Sequence, residues 1–286
     1  MRYLSPKADL TFKKVFGEHK DVIISFLNAL LPLEGEDEEI TWVEYLTPEL
    51  VPQTPLNKDS IVDVRCKDRL GRQFIVEMQM MWTSEYKKRV LFNASKAYVS
   101  QLEKGGDYTL LQPVYSLNLV NDTFSDNEVY YHDYRIVEDA ETKEVIEGMR
   151  FIFIELPKFT PRNYGDKKMQ VLWLRFLTEI GEDTISVPQE LTEVPEINKA
   201  VAQLEESAFS KSQLLGYEKF WDIVSTAKTT ISSAFGEGER KGREEGRAEG
   251  REEERMKIAR TLKQLGSSTE MIVQATGLTP KEISAL

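Results

Sequence analysis

The chain has 286 residues and a formal net charge of −11, with 30% charged and 41% hydrophobic residues. That length suits one large domain or two ordinary ones, and the acidic balance argues against nonspecific nucleic-acid binding by the whole protein. One cysteine, Cys66, and two distant histidines, His19 and His132, argue against a structural zinc site. No apolar run reaches the ~20 residues of a membrane span, and the start of the chain lacks signal-peptide character, so a cytoplasmic location is expected.

Residues 8–31 carry Leu10, Phe12, Val15, Phe16, Val22, Ile23, Phe26, Leu27, Leu30 and Leu31 at helical spacing, which predicts two helices broken near Gly17-Glu18-His19. Asp9 stands at the start, where free backbone amides and the helix dipole favour an acid. A cap is the plain reading of Asp9 and a site residue the sharper one. Glu34, Glu36, Asp37, Glu38 and Glu39 make an acidic loop. Residues 40–46 read as a strand, and Pro48, Pro52 and Pro55 mark the connection that follows.

Ile61-Val62-Asp63-Val64-Arg65-Cys66 and Phe74-Ile75-Val76-Glu77-Met78-Gln79 flank a polar loop and read as a β-hairpin. A three-residue turn with Gly71 in the left-handed position makes Asp68 face Arg72, and counting back sets Asp63 opposite Glu77. Alternation then gives Ile61, Asp63, Arg65, Ile75, Glu77 and Gln79 one face. Val62, Val64, Cys66, Phe74, Val76 and Met78 share the other, wholly apolar face. Carboxylates opposed across a ladder repel. A divalent cation taking hard oxygen ligands relieves that repulsion. The other reading is a solvated face whose charges pair with Arg65 or a nearby lysine.

Residues 84–104 read as a helix with Val90, Leu91, Ala94, Ala97, Tyr98 and Leu102 on one side, stopped by Gly105-Gly106. Lys87, Lys88, Arg89, Lys96 and Lys104 outnumber Glu85 and Glu103, so this segment is locally basic. Strands are expected at 114–120, 130–137 and 149–156, then helices at 166–180 and through most of 193–235. The order predicts a mixed α/β sheet with helical packing and a helical C-terminal half.

From Gly236 the composition changes to Glu, Arg and Lys with glycines at 238, 242, 246 and 250. Glu237, Glu239 and Glu253 lie four residues before Lys241, Arg243 and Lys257, which supports a helix. Each interior glycine opposes it by ~1 kcal/mol. A helix that stiffens on self-association and a flexible tether are both consistent with this pattern. Met256–Gly266, Met271–Thr276 and a segment from Pro280 read as short helices resembling a miniature helix-turn-helix, and with Lys281 as the one base on the last of them a small interaction or capping module is favoured over a sequence reader.

The motif Pro6-Lys7-Ala8-Asp9-Leu10-Thr11-Phe12-Lys13-Lys14-Val15-Phe16-Gly17, with Asp63 and Glu77-Met78-Gln79, resembles the Rpn family. These are recombination-promoting nucleases, also described as transposases of the PD-(D/E)XK nuclease superfamily. The resemblance covers roughly residues 1–235 as a nuclease-like domain. The charged glycine-repeat segment 236–257 and a small helical module 258–286 complete the expected organisation.

The resemblance implies an α/β, restriction-endonuclease-like core of order αβββαβ with a mixed sheet, followed by a helical C-terminal extension. It implies that Asp63 and Glu77 bind Mg²⁺, that Gln79 stands where the superfamily has lysine, and that Asp9 adds an acid from the first helix. Tyr98 and Gln101 match positions that relatives carry on the helix after the hairpin. The backbone carbonyl of Met78 is a further candidate metal ligand, and carboxylate-held metal suits phosphodiester hydrolysis. Glutamine supplies neither a cation nor a proton at neutral pH, so Lys13 or Lys87 is expected to supply the charge. Lys87, Lys88, Arg89, Lys96 and Gln101 are expected to contact DNA, mostly through its phosphates.

These features lead to a Mg²⁺-dependent DNA endonuclease acting in recombination, mobile-element biology or phage defence, and homo-oligomeric through its tail. A catalytically weak interaction protein and a strand-joining transposase are the alternatives.

Overall fold

The computed structural model describes residues 2–33, 35–50, 60–103, 105–162 and 168–286, apart from the side chain of Glu36. Glu34, Pro52, Pro55 and Lys104 therefore lie outside the described residues. By contacts the chain divides into two compact units, Met1–Val224 and Ser225–Leu286.

The first unit opens with helices α1 (Asp9–Gly17) and α2 (Lys20–Leu30), broken at the expected place. Phe12, Val15, Phe16, Val22, Ile23, Phe26 and Leu27 are fully buried, as the helical spacing requires. Short strands β1 (Glu44–Tyr45), β2 (Glu49–Leu50) and β3 (Ser60–Ile61) precede β4 (Val64–Lys67) and β5 (Gln73–Gln79). Helix α3 (Tyr86–Val99) then crosses to β6 (Val114–Val120), followed by β7 (Tyr131–Val137) and β8 (Val145–Glu155). Helices α4 (Met169–Glu179), α5 (Gln189–Thr192), α6 (Pro195–Ala202) and the first part of α7 (Lys211–Gln264) complete the unit.

Six strands form one sheet in the order β1-β4-β5-β6-β8-β7. The pairs β5–β6 and β6–β8 are parallel, and the others are antiparallel. Thus α2, β1, β4, β5, α3 and β6 follow the expected order αβββαβ in a mixed sheet. Every residue of β6 is buried, as a central parallel strand covered on both faces must be. On one face Val64, Cys66, Phe74, Val76, Leu117 and Ile152 pack against α1, α2, α4 and α6 around Trp173. On the other, Ile75 and Val114 meet Ala94 and Ala97 of α3.

The turn forms as the sequence predicts. The amide of Asp68 donates to the Arg72 carbonyl at 3.1 Å, and Gly71 has φ +84°. The ladder pairs Val64 with Val76 and Lys67 with Gln73. One part of the hairpin differs, because the expected continuous strand Ile61–Cys66 breaks at Val62-Asp63. Ser60 and Ile61 pair instead with Leu50 and Glu49 in a separate two-stranded sheet. The Asp63 carboxylate accepts the Met78 amide at 2.7 Å, so a side chain replaces the backbone at this rung. The bend also turns Val62 away from Val64 and into the α3-side cluster with Leu50 and Ile75, against the predicted alternation.

Helix α3 is shorter than 84–104, and its buried side is Tyr86, Val90, Asn93, Ala94 and Ala97. Leu91, expected on that side, is 49% exposed.

In the second unit α7 is helical throughout, glycines 238, 242, 246 and 250 included, and it absorbs the helix expected from Met256. Glu239 pairs with Arg243 at 2.5 Å and Arg240 with Glu244 at 3.0 Å. Helices α8 (Thr269–Thr276) and α9 (Pro280–Ala285) bury Ile272, Leu278 and Ile283 against Ala259 and Leu262. Gly277 ends α8 at φ +69°, and Thr279 with Glu282 forms a capping box on α9.

Candidate active site

The carboxyl ends of strands in open α/β sheets are where ligands are usually bound, and β5 ends in Glu77-Met78-Gln79 beneath α3. Glu77 faces α3 because it alternates with Val76 and Met78, which belong to the opposite apolar face. It is 6% exposed, and its Oε1 accepts from Nδ2 of Asn93 at 3.0 Å. The Asn93 Oδ1 is buried and has no hydrogen-bond partner. Asp63 comes to the same cleft from the bend before β4, with one oxygen on the Met78 amide.

Neither carboxylate has the partners that would make burial comfortable. Burial pushes the Asp63 carboxyl above its ordinary value, against the opposing pull of the Met78 amide and Lys13. Burial likewise raises Glu77, against the Asn93 amide, and the charge of Asp63 adds to the rise. Arg65 gives neither relief, because its guanidinium donates to Oε1 of Gln73, at the far end of β5, at 2.8 Å. The cleft is therefore not a solvated hairpin face.

Gln79 is held at both ends of its amide. Its Nε2 donates to the Met81 carbonyl at 2.5 Å, and its Oε1 accepts from Nη2 of Arg89. The same nitrogen lies 3.9 Å from Oε2 of Glu77, and the guanidinium carbon stands 4.8 Å from the Tyr86 ring centre. The cation beside Glu77 is thus Arg89, whereas of the two lysines expected to supply charge to the site only Lys13 acts on a carboxylate there, Asp63. Lys13 pairs with Asp9 at 2.7 Å. Lys87 donates to the Tyr134 hydroxyl at 3.0 Å and lies 4.8, 5.0 and 5.7 Å from the rings of Tyr134, Phe124 and Trp82. Aromatic faces hold such a cation well, which takes Lys87 away from the carboxylates.

Other expected site residues divide clearly. Lys88 and Arg89 line the cleft with Asp63, Glu77, Met78 and Gln79. Asp9 is the first residue of α1 and makes no side-chain cap, but its charge and that of Lys13 reach Asp63. Lys96 donates to the Leu50 carbonyl at 3.1 Å. Gln101 is stitched to the backbone of Gln112, donating to its carbonyl and accepting from its amide, each at 2.9 Å. Tyr98 packs beside Ile75 and Ala97. Asn93 was missed by sequence reasoning. Its signal was present: it is a polar residue on the helix face of Tyr86, Val90 and Ala97.

Two carboxylates and an unpartnered amide oxygen are hard donors suited to a divalent cation. Among the described residues no group of three or more His, Cys, Asp and Glu converges. This donor set fits an ion such as Mg²⁺, which keeps part of its water shell and uses few carboxylates. It does not fit a thiolate–imidazole zinc site.

Residues 6–234 match the family model described as PD-(D/E)XK nuclease family transposase. No curated protein and no solved structure matches the chain. Among the described residues no helix is long and apolar enough to cross a membrane. The chain belongs to the PD-(D/E)XK nuclease family transposases, and its fold is that of a nuclease-type enzyme.

Proposed function

We propose that this family member is a Mg²⁺-dependent DNA endonuclease whose metal is held by Asp63, Glu77 and the Met78 backbone carbonyl. The supporting observation is the pairing of buried Glu77 with half-buried Asp63 in one cleft, both pushed toward protonation by loss of solvent and both short of donors. Bound there, the metal supplies charge neutralisation at the phosphate and a more acidic water. The Met78 amide fixes the orientation of Asp63, and Asn93 fixes that of Glu77. Asp9 adds a negative field from α1. Lys88 and Arg89 in the cleft, with Lys96 further along α3, offer positive charge to backbone phosphates, which position DNA without reading its sequence.

The test is plasmid nicking with Mg²⁺ and with EDTA by wild type, Asp63→Ala and Glu77→Ala, with circular dichroism as the check on folding. Cleavage should need Mg²⁺ and vanish in both variants. Persistent cleavage by both would remove this cleft from the mechanism. A wild type that cleaves under no divalent condition would favour the interaction-protein reading.

We also propose that residues 236–286 join copies of the chain. Their solvent-exposed helix carries open space around each of its four repeat glycines. Deletion of 236–286 that leaves the oligomeric mass per subunit unchanged would discard this assignment.

A further inference from the structure

Resting on the nuclease reading, we propose that Arg89 is the cation that meets the reacting phosphate and that Gln79 is the positioning residue that aims it. Gln79 is committed at both ends. Its Nε2 is fixed on the Met81 carbonyl, so its Oε1 is turned toward α3, where it takes Nη2 of Arg89. Both ends of the Gln79 amide are thereby tied to protein partners, which fixes its orientation and points its carbonyl oxygen at Arg89.

Arg89 is constrained three ways: by its place in α3, by the Tyr86 ring and by Gln79. Its side chain is still 50% exposed, and it lines the cleft. Both contacts with Gln79 and Glu77 use Nη2. The planar fork therefore has further N–H donors to offer an anion, in the geometry that suits phosphate oxygens. A pre-positioned guanidinium beside the carboxylates can neutralise charge that grows on a phosphate during attack. The competing role is a plain counterion for Glu77. At 3.9 Å that pairing is loose, and Asn93 already supplies the short contact to this carboxylate.

Two measurements on the full chain separate these roles. The first is binding of a labelled duplex oligonucleotide in EDTA across a salt series. Losing one phosphate contact in Arg89→Ala should reduce the slope of log affinity against log salt by about one. Arg89→Lys should restore that slope.

The second is single-turnover cleavage at saturating DNA with Mg²⁺. Arg89→Ala should lose about a hundredfold, the scale of removing one donor to a developing charge. Arg89→Lys should recover this only in part, because a point charge replaces a fork. Gln79→Ala should lose about tenfold in the wild-type background, as an orienting partner does, and nothing further when combined with Arg89→Ala.

An unchanged salt slope in Arg89→Ala would overturn the phosphate contact whatever the cleavage result. Wild-type cleavage by Arg89→Ala would overturn its role in the reaction, and independent, additive losses would overturn the assignment of Gln79. If the wild type cleaves nothing, the nuclease reading fails by itself, and the salt slope still decides whether Arg89 meets phosphate.

Discussion

Glu77 and Glu155 stand at the same end of one sheet, Glu77 near the close of β5 and Glu155 at the close of β8. They show two opposite ways of burying a carboxylate. Glu155 has no exposed surface, yet it accepts from the Phe124 amide at 2.7 Å, the Ser125 hydroxyl at 2.5 Å and Lys158 at 3.0 Å, with His132 Nε2 at 2.8 Å. Burial acts to raise its carboxyl, but these donors outweigh it, led by Ser125 and Phe124, and hold it down to about 2. Glu77 is nearly as buried and has one short donor, Asn93, and the neighbouring charge of Asp63. Burial is common to both, so the number of donors decides the difference. A carboxylate completed by its own protein fixes a structure, whereas one left incomplete is open to a proton or a cation.

Substitution separates the two carboxylates most strongly. Glu77→Gln should reduce cleavage at least about a hundredfold, while metal-free thermal stability stays equal or rises, because a strained charge is gone. Glu155→Gln should do the reverse. It should destabilise the fold by about 3–5 kcal/mol, the scale of breaking a buried ion pair, because Lys158 is left with only the neutral oxygens of Ser125 and Asn127 and His132 loses its carboxylate; denaturant unfolding gives the value. A destabilised Glu77→Gln or an unaffected Glu155→Gln would erase the distinction.

A smaller effect separates the two in pH. The folded carboxyl of Glu155 lies below its ordinary value of 4.5, at about 2. Its contribution is therefore full above about 4.5 and fades as pH falls toward 2. Asp63 and Glu77 are raised in the folded chain, so without metal they favour folding at low pH and oppose it as pH rises through their range. Urea midpoints in EDTA between pH 2 and pH 7 should show a shallower acid limb in Glu155→Gln and a gain of stability on the neutral side in Glu77→Gln.

Much of this was legible in the chain because the signals were local. The helix break at Gly17, the turn glycine at 71 and the strand Val114–Val120 follow from periodicity and turn chemistry alone. The register that aligns Asp63 with Glu77 follows from Gly71. What was not legible depends on side chains meeting across the fold. The bend at Asp63 arises because its carboxylate captures the Met78 amide, a contact no alternation pattern encodes. Lys87 looked like a free base until Trp82, Phe124 and Tyr134, from three separate segments, surrounded it. Asn93 and Arg89 reach Glu77 only once α3 lies over β5. The donors of Glu155 come from residues 124, 125, 132 and 158, and no spacing rule joins them.

The most direct test of the incomplete site is a titration of Mn²⁺, as a spectroscopic stand-in for Mg²⁺, followed by electron paramagnetic resonance. Wild type should bind Mn²⁺ and release it to excess Mg²⁺, and Asp63→Asn combined with Glu77→Gln should abolish that binding while circular dichroism stays native. Mn²⁺ binding of equal affinity in the doubly substituted protein would contradict the assignment of Asp63 and Glu77 as the metal site.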